Sequence, residues 1–344
     1  MKTVLGLVAA ALVLALGSDR LLAADDFFKG KTVKIVAGTA SGGGGYDVHA
    51  RLLSRHLGKH IPGNPNVVVL NMPAGGGMAA TNHVFNVAEK DGTELGLFNR
   101  NTLFAPMLGE DLAKYKSDEF NWIGTPASYS DNAWVFFISS KLPYKTFDEL
   151  RRADPPLNIG NIGNTNVRVM EEALGARIKL IGGYTGLQMD LAFERGELDG
   201  QGTSYANILG QQPHWLSQNL IRIMVQFGRT TRLPALSDVP TGRELARNPD
   251  DLALVQVSEL PLTLGFPVAA PPGVPAERVA ILRKAFMDTM NDPEYRADSQ
   301  RQKMEYSPKD GDRLQADLIQ MVKTPPAVTE RYKKLVERER SGGR

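Results

Sequence analysis

Apolar positions in the first third of the chain come in short unbroken runs, each followed by glycine and then by a helical spacing. "VKIVA" (33–37) leads into "SGGGG" and "YDVHARLLSRHLG", where Leu52, Leu53 and Leu57 share one face. "NVVVL" (66–70) leads into "NMPAGGG" and "MAATNHVFNVAEK", and "ELGLF" (94–98) is a third run. Continuous Val, Ile and Leu runs predict strands buried on both faces of a parallel sheet. Strand, loop and helix in alternation predict a doubly wound α/β architecture. Both glycine loops then leave the carboxyl ends of their strands, where open α/β sheets bind ligands.

A second α/β unit is predicted to begin after "WIGTPAS". "WVFFI" (134–138) reads as a strand and "TFDELRRA" as a short helix. "LNIGNIG" into "NTNVRVMEEALG" repeats the strand, glycine loop and helix theme, and "IKLIGGY", "GLQMDLAFERGELDG" and "IRIMVQF" continue it. "ALVQVSELPLTLGFPVAAPPGVP" reads as an extended crossing back to the first unit. Two helices are expected to close the chain, "PAERVAILRKAFMDTM", with Val279, Leu282 and Phe286 on one face, and "DGDRLQADLIQMV". The expected division is residues 25–123 with 259–344 as one discontinuous domain and 124–258 as the other.

The amino terminus changes the setting. Lys2 precedes an uncharged apolar stretch from Val4 to Gly17, and Ala23 and Ala24 offer small residues for cleavage. Residues 1–24 read as a secretory signal peptide, which implies a periplasmic protein. The 344 residues contain no cysteine, so neither disulfides nor a lipid-modified cysteine is available. Formal net charge is +2, which argues against a nucleic-acid surface, so affinity for an anion must be built locally.

Glycine at the mouth of a helix is suited to an anion, because the first N–H groups of a helix have no internal partner and carry partial positive charge. A dinucleotide fingerprint fails on spacing: counted from Gly42 the third glycine falls on Asp47, and counted from Gly43 it falls on Val48. The "GKT" at 30–32 lacks the first glycine of a P-loop. His56 and His60, four apart, are a possible ligand pair on one helix face, but no carboxylate or cysteine completes a set, and they read as solvent-facing. No metal and no cofactor is expected. No G-x-S-x-G elbow is present, and no catalytic set emerges.

Taken in order, the motifs resemble the substrate-binding proteins of tripartite tricarboxylate transporters, the Bug-type receptors, over nearly the whole mature chain. Gly43, Gly44, Asp47 and Arg51 match that family's "GG-x-x-D-x-x-aR". Asn71, Pro73, Gly76 and Gly77 resemble its "N-R-P-G-A-G-G", and "GNIGNTN" resembles its "G-s-x-G-x-G-S" loop. "GGYTG", "RGELDG", "RLPALSDVPTGREL" and "AAPPGVPAERVAILRKAF" stand where later family segments do. The resemblance implies a type II periplasmic-binding-protein fold, two α/β domains joined by hinge strands with a ligand cleft between them. It implies a monomeric receptor that captures a small organic carboxylate and delivers it to integral-membrane permease subunits. A sensor for a signalling kinase, or an enzyme on the same scaffold, are the alternatives.

On this reading the ligand-binding candidates are Ser41, Gly42, Gly43, Gly44, Tyr46, Asp47, Asn71, Ala74, Gly75 and Gly76 in the first domain, and Asn161, Thr165, Asn166, Arg168, Thr203 and Ser204 in the second. Asp47 reads as structural, complementing the helix dipole and pairing with Arg51 one turn on. Tyr46 either walls the cleft or is a surface aromatic. Asn71 can bond the loop or the ligand. Thr165 and Asn166 can cap a helix or donate to a carboxylate, and Arg168 can pair with one or stay solvated. The chain departs from the family pattern at Thr39 and Ala40, at Met72, at Thr165 and Asn166, and in the spacing around Asp190. These departures bear on which acid is bound.

Overall fold

The computed structural model describes residues 27–42, 44–129, 131–161, 165–184 and 186–340. The expected signal peptide, Gly43 and residues 162–164 of the "GNIGNTN" loop lie outside them. The described chain forms two compact units, one of residues up to Pro126 with Phe266–Ala316, the other of Ala127–Gly265 with the chain from Asp317 on.

In the first unit, strands β1 (Thr32–Ala37), β2 (Asn66–Asn71), β3 (Glu94–Leu97), β4 (Asn121–Thr125), β10 (Val268–Ala270) and β11 (Lys309–Asp310) form one sheet in the order β11-β4-β10-β3-β1-β2. β1 runs parallel to β2 and β3, while β10 is antiparallel to β3 and β4, and β11 to β4. The sheet is therefore mixed, because the strands beyond β3 re-enter it after longer excursions of the chain. β2 lies at the edge, so Val67, Val68 and Val69 are half-buried, in contrast to the burial on both faces that their apolar run predicts. Helix α1 (Gly45–Leu57) packs against this edge, and its Leu52, Leu53 and Leu57 join Val33, Ile35, Leu95, Leu97, Leu282 and Phe286 in the core. Each such fully buried side chain contributes about 1.5–3 kcal/mol. Helix α2 (Met78–Asn86) follows the second glycine loop.

The second unit holds β5 (Trp134–Ser139), β6 (Leu157–Gly160), β7 (Ile178–Ile181), β8 (Gly200–Ser204) and β9 (Ile221–Phe227) in the order β7-β6-β8-β5-β9. β6 is parallel to β7 and β8, and β5 is antiparallel to β8 and β9. Helices α3 (Thr165–Glu172) and α4 (Gly186–Glu194) follow β6 and β7. Phe193 packs edge to face against Phe137 and Trp215 in its core, and Phe137 and Trp215 meet at a tilt.

Three expectations are corrected. The stretch that reads as an extended crossing is helix α5 (Pro249–Leu264) up to Gly265. Asn248 caps it by accepting from the Asp251 N–H, Pro249 starts it, and Asp250 and Asp251 complement its dipole. Pro261 falls in the last turn, where only one ladder bond is lost. The chain closes with four longer helices, not two: α6 (Ala276–Asn291), α7 (Pro293–Arg301), α8 (Gly311–Val322) and α9 (Pro326–Arg340). Finally, α9 packs with the second unit, whereas the sequence pattern puts residues 259–344 in the first domain. Its Arg331 donates to buried Asp251 at 2.7 Å and pairs with Glu172 at 3.6 Å, and its Tyr332 is buried.

Candidate functional site

Three loops leave the carboxyl ends of β1, β2 and β3 side by side, because those strands are neighbours in register. The Met72 N–H donates to Ala37 O at 2.8 Å and the Gly38 N–H to Leu97 O at 3.0 Å, so the loops start tied to one another. The second loop is a short turn, Ala74–Gly77, with Gly75, Gly76 and Gly77 all at positive φ. Gly77 lies against the first loop: a Cβ there would meet Gly38 O at 2.5 Å. Ala74, Gly75 and Gly76 are exposed, and a Cβ on Gly76 would meet nothing within 4 Å. Backbone is therefore exposed at this turn, most openly at Gly76.

In the first loop, α1 begins at Gly45 with Gly44 at φ 75° as its cap residue and no side chain capping it. The start of α1 thus keeps its N–H donors and its partial positive charge. Asp47 organises the loop from behind. The Gly42 N–H donates to its Oδ2 at 2.8 Å, Arg51 Nε to the same oxygen at 2.9 Å, and Asn71 Nδ2 to its Oδ1 at 2.7 Å. Burial alone would raise the Asp47 carboxyl pKa. The bonds from Arg51, Asn71 and Gly42 outweigh that and hold it below the ordinary value. The expected Asp47–Arg51 pair is therefore present, with Asn71 and Gly42 joined to it.

Arg51 also donates through Nη2 to Ser41 Oγ at 2.9 Å and to Asn71 Oδ1 at 3.1 Å. Asn71 Nδ2 donates in addition to Thr39 O at 3.1 Å. Of its two expected roles, Asn71 fills the loop-bonding one in this structure. Tyr46 leans edge-on against Phe266, its hydroxyl donates to Asn99 Oδ1 at 3.4 Å, and it accepts the Arg100 N–H at 3.2 Å. The ring is half-buried and joins the first loop to the third. His49, buried against Phe266 with ring centroids 4.0 Å apart, has its pKa pulled down to about 3 by burial, so it is a neutral packing group.

The second unit gathers its candidates at the carboxyl ends of β6 and β8. Asn161 and Arg168 are buried, which corrects the solvated alternative for Arg168. Asn166 is also buried and donates to Ser258 O at 3.1 Å. Thr165 hydrogen-bonds the buried Tyr332. Thr203 and Ser204 end β8. Ser204 Oγ accepts the Asn207 N–H at 3.0 Å as a helix cap, and Asn207 Nδ2 donates to Thr203 Oγ1 at 3.2 Å. The backbone of the loop between Asn161 and Thr165 lies outside the described residues.

None of the protein-family models and none of the curated proteins compared with it matches the chain. Solved structures do. A TctC solute-binding protein from Polaromonas, solved without ligand, superposes with a TM-score of 0.69 at 20% identity, over 90% of this chain and 99% of its own. MatC from Rhodopseudomonas palustris with bound malate gives 0.56 at 21% identity, over 90% and 100%. The periplasmic binding protein BugD gives 0.57 at 20% identity, over 90% and 98%. The chain has the fold of the TctC and Bug-type solute-binding proteins. In a fold of this kind the loops at the strand ends are where binding is sought.

Sequence reasoning passed over the third loop. Asn99 accepts from Tyr46 and from the Asn101 N–H and donates to Gly76 O at 3.1 Å, so one side chain bridges all three loops. Its signal was present: "ELGLFN" ends, like "NVVVLN", in an asparagine at the strand's carboxyl end. Asp190, which the sequence marked as a departure in spacing and did not place among the ligand residues, accepts from Gln201 at 2.8 Å and Gln212 at 3.2 Å, with burial raising its carboxyl pKa.

Proposed function

We propose that this chain is a periplasmic receptor that captures a small organic dicarboxylate and delivers it to the permease subunits of a tripartite tricarboxylate-type transporter. The observation that carries the reading is the exposed backbone of Ala74, Gly75 and Gly76 beside the uncapped start of α1. N–H donors there grip one carboxylate, with Ser41, Gly42, Gly43, Gly44 and Tyr46 completing the first unit's contribution. Asp47 and Asn71 set the loop's shape, and Arg51, held by Asp47, Ser41 and Asn71, lends positive charge from behind. Asn161, Thr165, Asn166, Arg168, Thr203 and Ser204 are the second unit's ligand residues in this proposal. Among proteins of the same fold, MatC was solved with malate and another R. palustris protein with adipate, both dicarboxylic acids. Their ligands set the class favoured here. The predicted signal peptide supports the compartment, and no catalytic role is assigned to any residue.

The test is a thermal-shift panel of C4 to C8 dicarboxylates, aromatic acids, sugars, amines and nucleotides on the mature chain. A ligand that binds only the folded state raises the melting temperature by mass action. At least one dicarboxylate is expected to do so. A shift with a sugar or an amine and none with any acid would overturn the reading.

A further inference from the structure

One cluster in the first unit is not used by the carboxylate site. His56 lies in the last turn of α1 and His60 in the 3-10 turn Gly58–His60 that follows it, and α7 faces them with Asp292 as its cap residue, Glu294 in its first turn and Asp298 one turn on. His56 Nε2 lies 2.7 Å from Asp298 Oδ2, and His60 Nε2 lies 2.9 Å from Asp292 Oδ2. The ligand atoms of His56, Asp292 and Glu294 all fall within 4.8 Å of one another. His56 and Asp292 are buried, which corrects the solvent-facing reading of the first histidine. The carboxylates that the sequence did not place with these histidines come from more than 230 residues away.

A cation already stands there. Lys59 Nζ contacts Asp292 Oδ2 at 2.5 Å and Glu294 Oε2 at 2.6 Å. An ammonium only donates, so it leaves the imidazole lone pairs unused. A metal ion would take both carboxylate and imidazole. Lys59 is 40% exposed on a flexible stem and can swing into water. A tetrahedral ion with ligands at about 2.0–2.2 Å holds them about 3.3–3.6 Å apart, so the His60–Asp292 contact at 2.9 Å would open by roughly 0.4–0.7 Å while ligand atoms up to 4.8 Å apart would close by roughly 1.2–1.5 Å. Asp298 also bonds Arg301, and it holds the His56 ring in place as carboxylates do for ligating histidines.

We propose that His56, His60, Asp292 and Glu294 form a site for a divalent transition-metal cation of the zinc, nickel or copper class, which displaces Lys59 and ties α1 to α7. Mixed imidazole and carboxylate donors favour these ions over magnesium and calcium. The proposal is independent of the carboxylate reading.

The experiment is calorimetric titration of the metal-free mature chain with zinc sulfate, with magnesium chloride as the control. One zinc per chain is expected, with a Kd of roughly micromolar order and no magnesium response. Lys59→Met is expected to tighten zinc binding at least threefold, and the His56→Ala/His60→Ala pair to weaken it at least thirtyfold. The absence of zinc binding to the wild type overturns the proposal. So does unchanged affinity in the double variant, which would place the metal on His83 with Glu94 or His214 with Glu194. Should circular dichroism show the double variant unfolded, Lys59→Met decides: equal or weaker zinc binding overturns the proposal.

Discussion

Gly76 and Gly77 are adjacent and both sit at positive φ, yet a side chain would meet different surroundings at each. At Gly77 a methyl would meet the Gly38 carbonyl at 2.5 Å, with φ at 97°. Left-handed strain and overpacking add, so Gly77→Ala is expected to cost about 2–4 kcal/mol, read as a lowered denaturant midpoint. At Gly76 the methyl meets nothing within 4 Å, so only the left-handed strain of φ 65°, ψ 25° remains and Gly76→Ala should cost about 1–2 kcal/mol. Equal losses would mean that the two loops do not touch as described. Asp47 gives a second test at this scale. Its folded pKa is depressed, so its stabilisation is complete above the unfolded value near 3.8 and is lost as pH falls through the lower folded value. Asp47→Asn should therefore remove part of the acid-side fall in stability below about pH 4, measured by chemical denaturation from pH 7 to pH 2. An unchanged acid limb would remove Asp47 from the loop network. The glycines and the Asp47–Arg51 pair were legible in sequence because they are local. Asn99 carried a local signal as an asparagine after a strand, but its bridging of the loops was not legible, because its partners Tyr46 and Gly76 are 53 and 23 residues away.

At the scale of elements, runs of β-branched residues placed the strands well, and the glycine after each run placed the loops. Helices escaped the sequence pattern where packing overrode local cues. Pro261 and a nearly all-round apolar sequence hid α5, whose Leu254, Val255, Val257 and Leu262 are all buried. α9 was not among the helices expected from the sequence, although Val328, Tyr332 and Leu335 form a buried stripe at helical spacing. Its anchor is Asp251, 1% exposed, which accepts from Arg247 at 3.1 Å and from Arg331 at 2.7 Å. Asn248 Nδ2 is a third donor at 2.9 Å, to the oxygen that Arg247 bonds, so removing Arg331 takes away one of three side-chain donors and the one on Oδ1. Arg331→Ala is expected to cost about 1–3 kcal/mol and to increase hydrogen exchange across 326–340. Unchanged exchange there would show that Tyr332 and its apolar neighbours hold the helix without the ion pair.

For the molecule as a whole, the two α/β units were foreseen from alternation, while the allegiance of the last helix was not, because unit membership depends on contacts far apart in sequence. The compartment and the ligand class rest on the loops and on the predicted signal, and the loops decide between them whether this is a receptor for acids. The most direct measurement is calorimetric titration of a dicarboxylate found in the thermal-shift panel, with its monomethyl ester in parallel, into wild type and Gly76→Ala. Buried donors left unpaired cost about 1–3 kcal/mol, so the ester is predicted to bind roughly five- to 150-fold more weakly. A methyl over the Gly76 backbone is predicted to weaken the diacid by a similar factor in a protein that remains folded. Wild-type affinity for the diacid in folded Gly76→Ala, together with equal affinity for diacid and ester, would contradict capture of a carboxylate by the glycine loops.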